Sequence, residues 1–256
     1  MTRVRVERDG RIGRVTLARP EKKNALDLAT ATELADAFRA FGAETEIRVV
    51  VLAADGDDFC SGADLEALEA MLDEGASAHR RDAEALARVF LTMRALPQPV
   101  IGAVRGRALA GGAGLATACD LVLAHEGAQF GYPEVRVGFV PAMVMTLLRR
   151  SVGEKRAFDL VATGRIVTAS EALEIGLVSR VETNSAWAGA VERTAEALAN
   201  TAPEALQLTK RLFYALDTQP FEPGIALGVD ANVEARSTPG FREGVRRFVA
   251  RSRPAT

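Results

Sequence analysis

Residues that staple a chain or hold a metal are scarce here: 256 residues include two cysteines, Cys60 and Cys119, and two histidines, His79 and His125. Two thiols are too few for a disulfide framework and fit a reducing compartment, so both read as small buried residues and a cytoplasmic location is expected. Neither histidine stands at a metal-ligand spacing, so no metal site is expected. No apolar run approaches bilayer-spanning length, and Met1-Thr2-Arg3-Val4-Arg5-Val6-Glu7 lacks the apolar stretch of a signal peptide. Neither membrane insertion nor secretion is expected. The net charge of -2 exerts no general pull on nucleic acid or anionic lipid, and no aromatic-basic stripe is present. Both G-x-x-x-x-G-K-[ST] and G-x-G-x-x-G are missing, which excludes the common nucleotide loops. Ser61 lies in no nucleophile elbow.

What is present is ordinary globular composition, 48% hydrophobic and 26% charged, in a chain long enough for a sizeable core. Alternation around Asp9-Gly10, with Val4 and Val6 before it and Val15 and Leu17 after, predicts a β-hairpin. Asp27 is placed to cap a helix presenting Leu34, Phe38 and Phe41. Ile47 to Leu52, Val100 to Val104 and Leu121 to Ala124 read as buried strands, and Leu65 to Leu96 as a charged, partly exposed helix. Beyond Pro141 the pattern is helical, apart from a β-like piece at Leu177 to Val181. Strands alternating with helices and then helices alone predict an α/β core with a helical C-terminal region. The expected division is 1–195 and 196–256.

Two glycine-bearing segments and one carboxylate carry the chemistry. The first segment is Phe59-Cys60-Ser61-Gly62-Ala63-Asp64-Leu65, and the second runs from Gly106 to Leu115. Each can offer a bare backbone N–H to a ligand oxygen, because small residues allow close approach to the main chain. Gly111 and Gly112 fall where a strand gives way to a helix, so the free N–H groups of the helix start add to the site's positive potential. The carboxylate is Glu134, in Phe130-Gly131-Tyr132-Pro133-Glu134, with Tyr132, Pro133, Phe139 and Val140 as apolar neighbours. Their burial of Glu134 would raise its pKa toward the working range. Two donors and one acid are the parts needed to enolise a thioester.

The order and spacing of these segments resemble the crotonase, or enoyl-CoA hydratase/isomerase, family. The likeness runs from Arg19-Pro20 and Asn24-Ala25-Leu26 through the segments above, then Gly153 to Gly164 and Glu171 to Val181, to Phe248-Val249-Ala250-Arg251. It implies a crotonase-like spiral of β-β-α units with a C-terminal trimerisation region. It also implies an oxyanion hole from the N–H groups of Ala63 and Gly111 for an acyl-CoA carbonyl, with Glu134 as proton carrier. Asp64, Leu65 and Glu66 would follow the acyl-CoA channel, mostly through backbone, with Gly112, Gly114 and Tyr132 beside it. Lys22 and Lys23 become phosphate candidates. Phe248 and Arg251 would reach the CoA of a neighbouring subunit, implying a homotrimer or a dimer of trimers. CoA enters as part of the substrate, and no cofactor is implied.

One departure divides the family's activities. The hydratase pattern G-G-G-x-E-L stands here as Ala110-Gly111-Gly112-Ala113-Gly114-Leu115, with Gly114 in place of the first catalytic glutamate. A lone acid suits allylic isomerisation, as in the family's 3,2-enoyl-CoA isomerases, although slow hydration stays open. The dienoyl-CoA isomerases carry an extra aspartate where this chain has Ala142. A non-catalytic, RNA-associated relative is the reading from another class. The basic C-terminal run of Arg242, Arg246, Arg247, Arg251 and Arg253 otherwise reads as a solvated helix face.

Overall fold

The layers follow from how the buried strands alternate. The computed structural model describes residues 2–251, so Arg253 lies outside the described residues. β1 (Val4–Asp9) and β2 (Ile12–Leu17) form the antiparallel hairpin expected around Asp9-Gly10. β3 (Val49–Ala54), β4 (Val100–Val104), β6 (Leu121–His125) and β9 (Arg180–Glu182) extend it in parallel, in the order β1-β2-β3-β4-β6-β9. Val50 and Leu52 of β3 enter one core while Val49 and Val51 enter another, and β4 divides Val100 and Val104 from Ile101 and Ala103 in the same way. A strand covered on both faces therefore reads as a continuous apolar run. The first core lies beneath α1 (Leu28–Gly42) and α3 (Ala76–Ala95), through Leu34, Phe38, Phe41, Val89 and Met93. The second lies beneath α8 (Trp187–Ala199), through Ala190, Val191 and Ala195.

A small second sheet sets the ends that matter for chemistry. It consists of β5 (Arg107–Leu109), β7 (Gln129–Gly131) and β8 (Ile166–Thr168), in that order. β5 and β7 are parallel with Leu109 opposite Gly131, so the chain leaves both strands at the same end. Cys60 bridges Ala108 in parallel, which brings the first glycine segment alongside β5. The chain thus spirals through repeated units of large-sheet strand, small-sheet strand and helix. One unit is β3, Cys60 and α2 (Leu65–Ala70); the next is β4, β5 and α4 (Gly111–Ala118); the third is β6, β7 and α5 (Ala142–Val152). This is the β-β-α spiral that the resemblance implied.

After α6 (Glu154–Thr163) and α7 (Ala169–Glu174), the helical C-terminal region comprises α8, α9 (Pro203–Ala215), α10 (Phe221–Ser237) and α11 (Pro239–Arg251). Lys210 of α9 is buried, and its Nζ donates to Met93 O at 2.9 Å, Gln98 O at 3.0 Å and Asp120 Oδ2 at 2.7 Å. Tyr214 OH donates to the other Asp120 oxygen at 2.6 Å. These bonds fasten α9 to the end of the large sheet. Among the described residues, no helix is long and apolar enough to cross a membrane.

Three expectations need correction, and one strand was missed. The single helix from Leu65 to Leu96 is two, α2 and α3, because Gly75 takes an extended backbone and starts α3 anew; glycine is a poor helix former and readily supplies such a break. The strand expected from Ile47 runs instead from Val49 to Ala54. The β-like piece at Leu177 becomes β9 only from Arg180, where the pairing with β6 begins. The three residues of β8 were not anticipated, being too few to show alternation.

Candidate active site

Hydrogen bonding explains why the two glycine segments meet. Cys60 N–H donates to Arg107 O and Leu109 N–H to Cys60 O, each at 2.9 Å, so the first segment runs as an extra strand beside β5. On its other side, Leu26 N–H donates to Gly62 O at 2.7 Å and Asp64 N–H to Leu26 O at 2.8 Å. Ala63 lies between those bonds, and its own N–H finds no acceptor among the described residues. Gly62 has φ +98°, and a Cβ there would lie 2.8 Å from Ala110 Cβ and 3.6 Å from Gly111 N. A side chain at that position would push the segments apart.

The second segment is aimed by a strained residue that sequence reasoning missed. Ala110 has φ 49° and ψ -123°, a conformation that a residue with a Cβ rarely adopts. Its N–H donates to Gly131 O at 2.8 Å and its C=O accepts Gly114 N–H at 2.9 Å. Fixed from both sides, Ala110 turns the chain sharply from β5 into α4. Gly111 is the first residue of α4, and its N–H also has no acceptor among the described residues. Gly112 is bare because the first segment presses on it; a Cβ would lie 2.3 Å from Cys60 O.

Glu134 enters from the neighbouring strand end, in a short 3-10 turn over Pro133–Val137 directly after β7. It is only 9% exposed, and its Oε2 has no hydrogen-bond partner. Loss of solvent raises its pKa above the ordinary carboxylate value, partly offset by its own backbone N–H. The burial comes from one side. Tyr132 is fully buried, whereas Phe139 and Val140, expected to shelter the acid, are 58% and 53% exposed. Thr117 donates to Ala113 O, so Tyr132 OH is the donor in its 2.8 Å bond with Thr117 Oγ1. That bond ties the turn carrying Glu134 to α4.

Lys22, Lys23, Ala63, Asp64, Leu65, Glu66, Ala110 and Glu134 line one cleft of about 650 Å³, joined by Arg136 and Phe139. Both oxygens of the Asp64 carboxylate already have partners within the chain. The side chain caps α2 through Ala67 N–H at 3.4 Å and accepts Arg19 Nη2 at 3.0 Å. Arg19 also donates to Ala25 O at 2.9 Å, so this partly buried guanidinium braces the first segment. Lys22 Nζ pairs with Glu66 Oε2 at 2.6 Å at the cleft. Lys23 and Asn24 are both left-handed, at φ 53° and 54°; the Asn24 amide donates to Asp55 O and Asp58 O at 2.8 Å and holds that turn.

Other expected contacts do not reach the cleft lining of this chain. Gly111, Gly112 and Gly114 are buried in α4, with Ala110 before them at the cleft; Tyr132 lies behind the turn, and Phe248 and Arg251 are on α11. Burial pushes the Cys60 thiol up to about 12, which leaves it unreactive, and Cys119 is shifted the same way. No cluster of three or more potential metal ligands occurs among the described residues.

Comparison with known proteins agrees with this architecture. The family profile described as enoyl-CoA hydratase/isomerase matches residues 7–255. A Thermus thermophilus protein carrying the enoyl-CoA hydratase name is 42% identical over 251 residues, covering 98% of this chain and 99% of its own. The (E)-benzylidenesuccinyl-CoA hydratase of Thauera aromatica is 33% identical over 98% of both chains. The crystal structure of a Mycobacterium smegmatis enoyl-CoA hydratase superimposes with a TM-score of 0.94 at 32% identity, covering 100% of this chain and 99% of that one. The chain therefore belongs to the enoyl-CoA hydratase/isomerase family of the crotonase superfamily, and its fold is that family's acyl-CoA enzyme fold.

Proposed function

We propose that this enzyme moves a double bond within an enoyl-CoA by proton transfer, with Glu134 as its one acid-base group. The observation carrying this reading is a buried carboxylate with a free oxygen, in the same cleft as two segments whose N–H groups are uncommitted. The carbonyl oxygen of a 3-enoyl thioester accepts from Ala63 N–H and Gly111 N–H. The Glu134 carboxylate removes a proton from C2, and the electron pair spreads over the dienolate while the negative oxygen is held by both donors. The resulting carboxylic acid gives the proton to C4, leaving the conjugated 2-enoyl thioester and the original carboxylate. Removing one such donor costs about 3–4 kcal/mol of barrier, so a pair supplies much of the stabilisation. A raised pKa suits a group that must serve as base and then as acid.

The rest of the substrate follows from the cleft. Lys22 and Lys23 offer charge to the CoA phosphates at its mouth. Phe248, 73% exposed, and Arg251 lie away from this chain's own cleft, which supports their serving a neighbouring subunit. Phe221, Ile225, Val229 and Val233 of α10 are exposed apolar residues, as an assembly face requires. A homotrimer or a dimer of trimers is the proposed assembly, and the cytoplasm the proposed location. The chemistry asks for no metal or redox cofactor, because enolisation needs only the donors and the base.

Product analysis tests the reading. Incubation with 3-enoyl-CoA of several chain lengths is expected to yield 2-enoyl-CoA, with 3-hydroxyacyl-CoA a minor product. Faster hydration of 2-enoyl-CoA than isomerisation of 3-enoyl-CoA would make the enzyme a hydratase instead.

A further inference from the structure

The turn that carries Glu134 and the helix that starts at Gly111 are joined at two points. Where α4 begins, Ala110 N–H donates to Gly131 O at 2.8 Å. About two turns further along, Thr117 Oγ1 accepts from Tyr132 OH at 2.8 Å and itself donates to Ala113 O at 2.7 Å. Gly131 and Tyr132 are adjacent, and Tyr132 opens the short turn in which Glu134 stands. One bond alone would let the turn swing about it, whereas two fix its direction relative to α4. The helix is itself held: Gly112 packs on Cys60, and Asp120, just past the helix end, accepts from Lys210 and Tyr214. On its other side the turn has little support, since residues 135–140 are exposed.

Packing does not account for the Tyr132 hydroxyl. The ring is fully buried, and a phenylalanine would fill the same space without burying a polar group. Among the described residues the hydroxyl bonds only to Thr117, on the helix that also supplies Gly111 N–H. Burial, and then the charge of Glu134, raise the Tyr132 pKa against the opposing bond to Thr117, so the phenol stays a donor across the working range. We propose that Tyr132 and Thr117 are a positioning pair, whose hydrogen bond sets the Glu134 carboxylate against the thioester held at Gly111 N–H. The inference rests on the functional reading above for what those two groups do. Neither Tyr132 nor Thr117 lines the cleft, so the pair acts through the turn and the helix rather than on the substrate. With the bond lost, the turn drifts, and less of the bound substrate has its C2 proton within reach of the base. Binding by the rest of the cleft continues.

A double-mutant cycle read in kcat and KM tests this. Tyr132→Phe and Thr117→Val each delete one partner and nearly keep the shape. Each should lower kcat by about tenfold, the value of one hydrogen bond, with KM within about twofold of the parent. The double variant should be no slower than either single one, because both changes delete the same bond. Thr117→Ser keeps the hydroxyl and should retain most of the parent's kcat. A lower melting temperature with unchanged kcat in Tyr132→Phe would overturn the proposal, leaving the bond a core contact only. Losses that multiply in the double variant would overturn it as well. The cycle is read on whichever of isomerisation and hydration the parent catalyses faster, so a hydratase outcome overturns the functional reading and leaves the pair to be judged. Amide exchange over residues 134–139 gives a readout independent of turnover. It should quicken in both single variants and not in Thr117→Ser, and unchanged exchange would refute the anchoring.

Discussion

Glu134 sits in an environment that costs stability and that the proposed proton transfer would put to use. A charged carboxylate with little water and one unpartnered oxygen is unfavourable in the folded state, so its folded pKa is raised. Below the unfolded value both states hold the proton and there is no penalty; as pH rises through the folded pKa, stability is lost. The stability of Glu134→Gln relative to the parent should therefore increase as pH rises through that value, measured by denaturant unfolding across pH; a pH-independent difference would remove the desolvation argument. The parent's turnover should fall on the acid side at a pH above that of an ordinary glutamate. The same variant keeps the side chain's shape and loses its basicity, so turnover should drop by about 10²–10⁴-fold with little change in substrate binding. Activity within a few-fold of the parent would end the assignment.

At the scale of elements, the site depends on segments held from outside the cleft. Asp64 joins two jobs, capping α2 and pairing with the partly buried Arg19, immediately after Ala63. Asp64→Ala removes both and should cost about 2–4 kcal/mol in unfolding free energy. Asp64→Asn retains a capping oxygen and should lose less in both stability and turnover. A cost below about 0.5 kcal/mol for the alanine variant would show that this brace is not needed. The cap at Asp27 and the all-apolar strands β3 and β4 were legible because their signals are local: one short polar side chain, or one uninterrupted run. Ala110 was not, because nothing in Leu109-Ala110-Gly111 distinguishes a strained alanine from a relaxed one. The bond between Tyr132 and Thr117 was also hidden, since it depends on α4 and the end of β7 coming together in space.

For the whole molecule, what could be read was the order of the motifs, and what could not was the packing of the C-terminal helices. Lys210 looks like a solvated helix lysine in sequence, yet it is 7% exposed and bonded to Asp120 and two carbonyls. Burial lowers its pKa against the opposing pull of Asp120, so the ammonium relies on that partner. The network fixes α9, and α10 and α11 follow it with their apolar residues exposed. If Phe248 and Arg251 serve a neighbouring cleft, Phe248→Ala and Arg251→Ala should raise KM for acyl-CoA by about tenfold while kcat changes little. Sedimentation should give three or six times the 27.3 kDa chain mass. A monomer with unchanged KM in both variants would contradict the proposed assembly.

The central claim is that one carboxylate carries a proton from C2 to C4 and adds no water. The most direct measurement follows 3-enoyl-CoA deuterated at C2, with the products analysed by mass spectrometry and NMR. The account predicts 2-enoyl-CoA that has lost deuterium from C2 and carries part of it at C4, formed far more slowly by Glu134→Gln. A 3-hydroxyacyl-CoA main product, or conversion by Glu134→Gln at the parental rate, would contradict it.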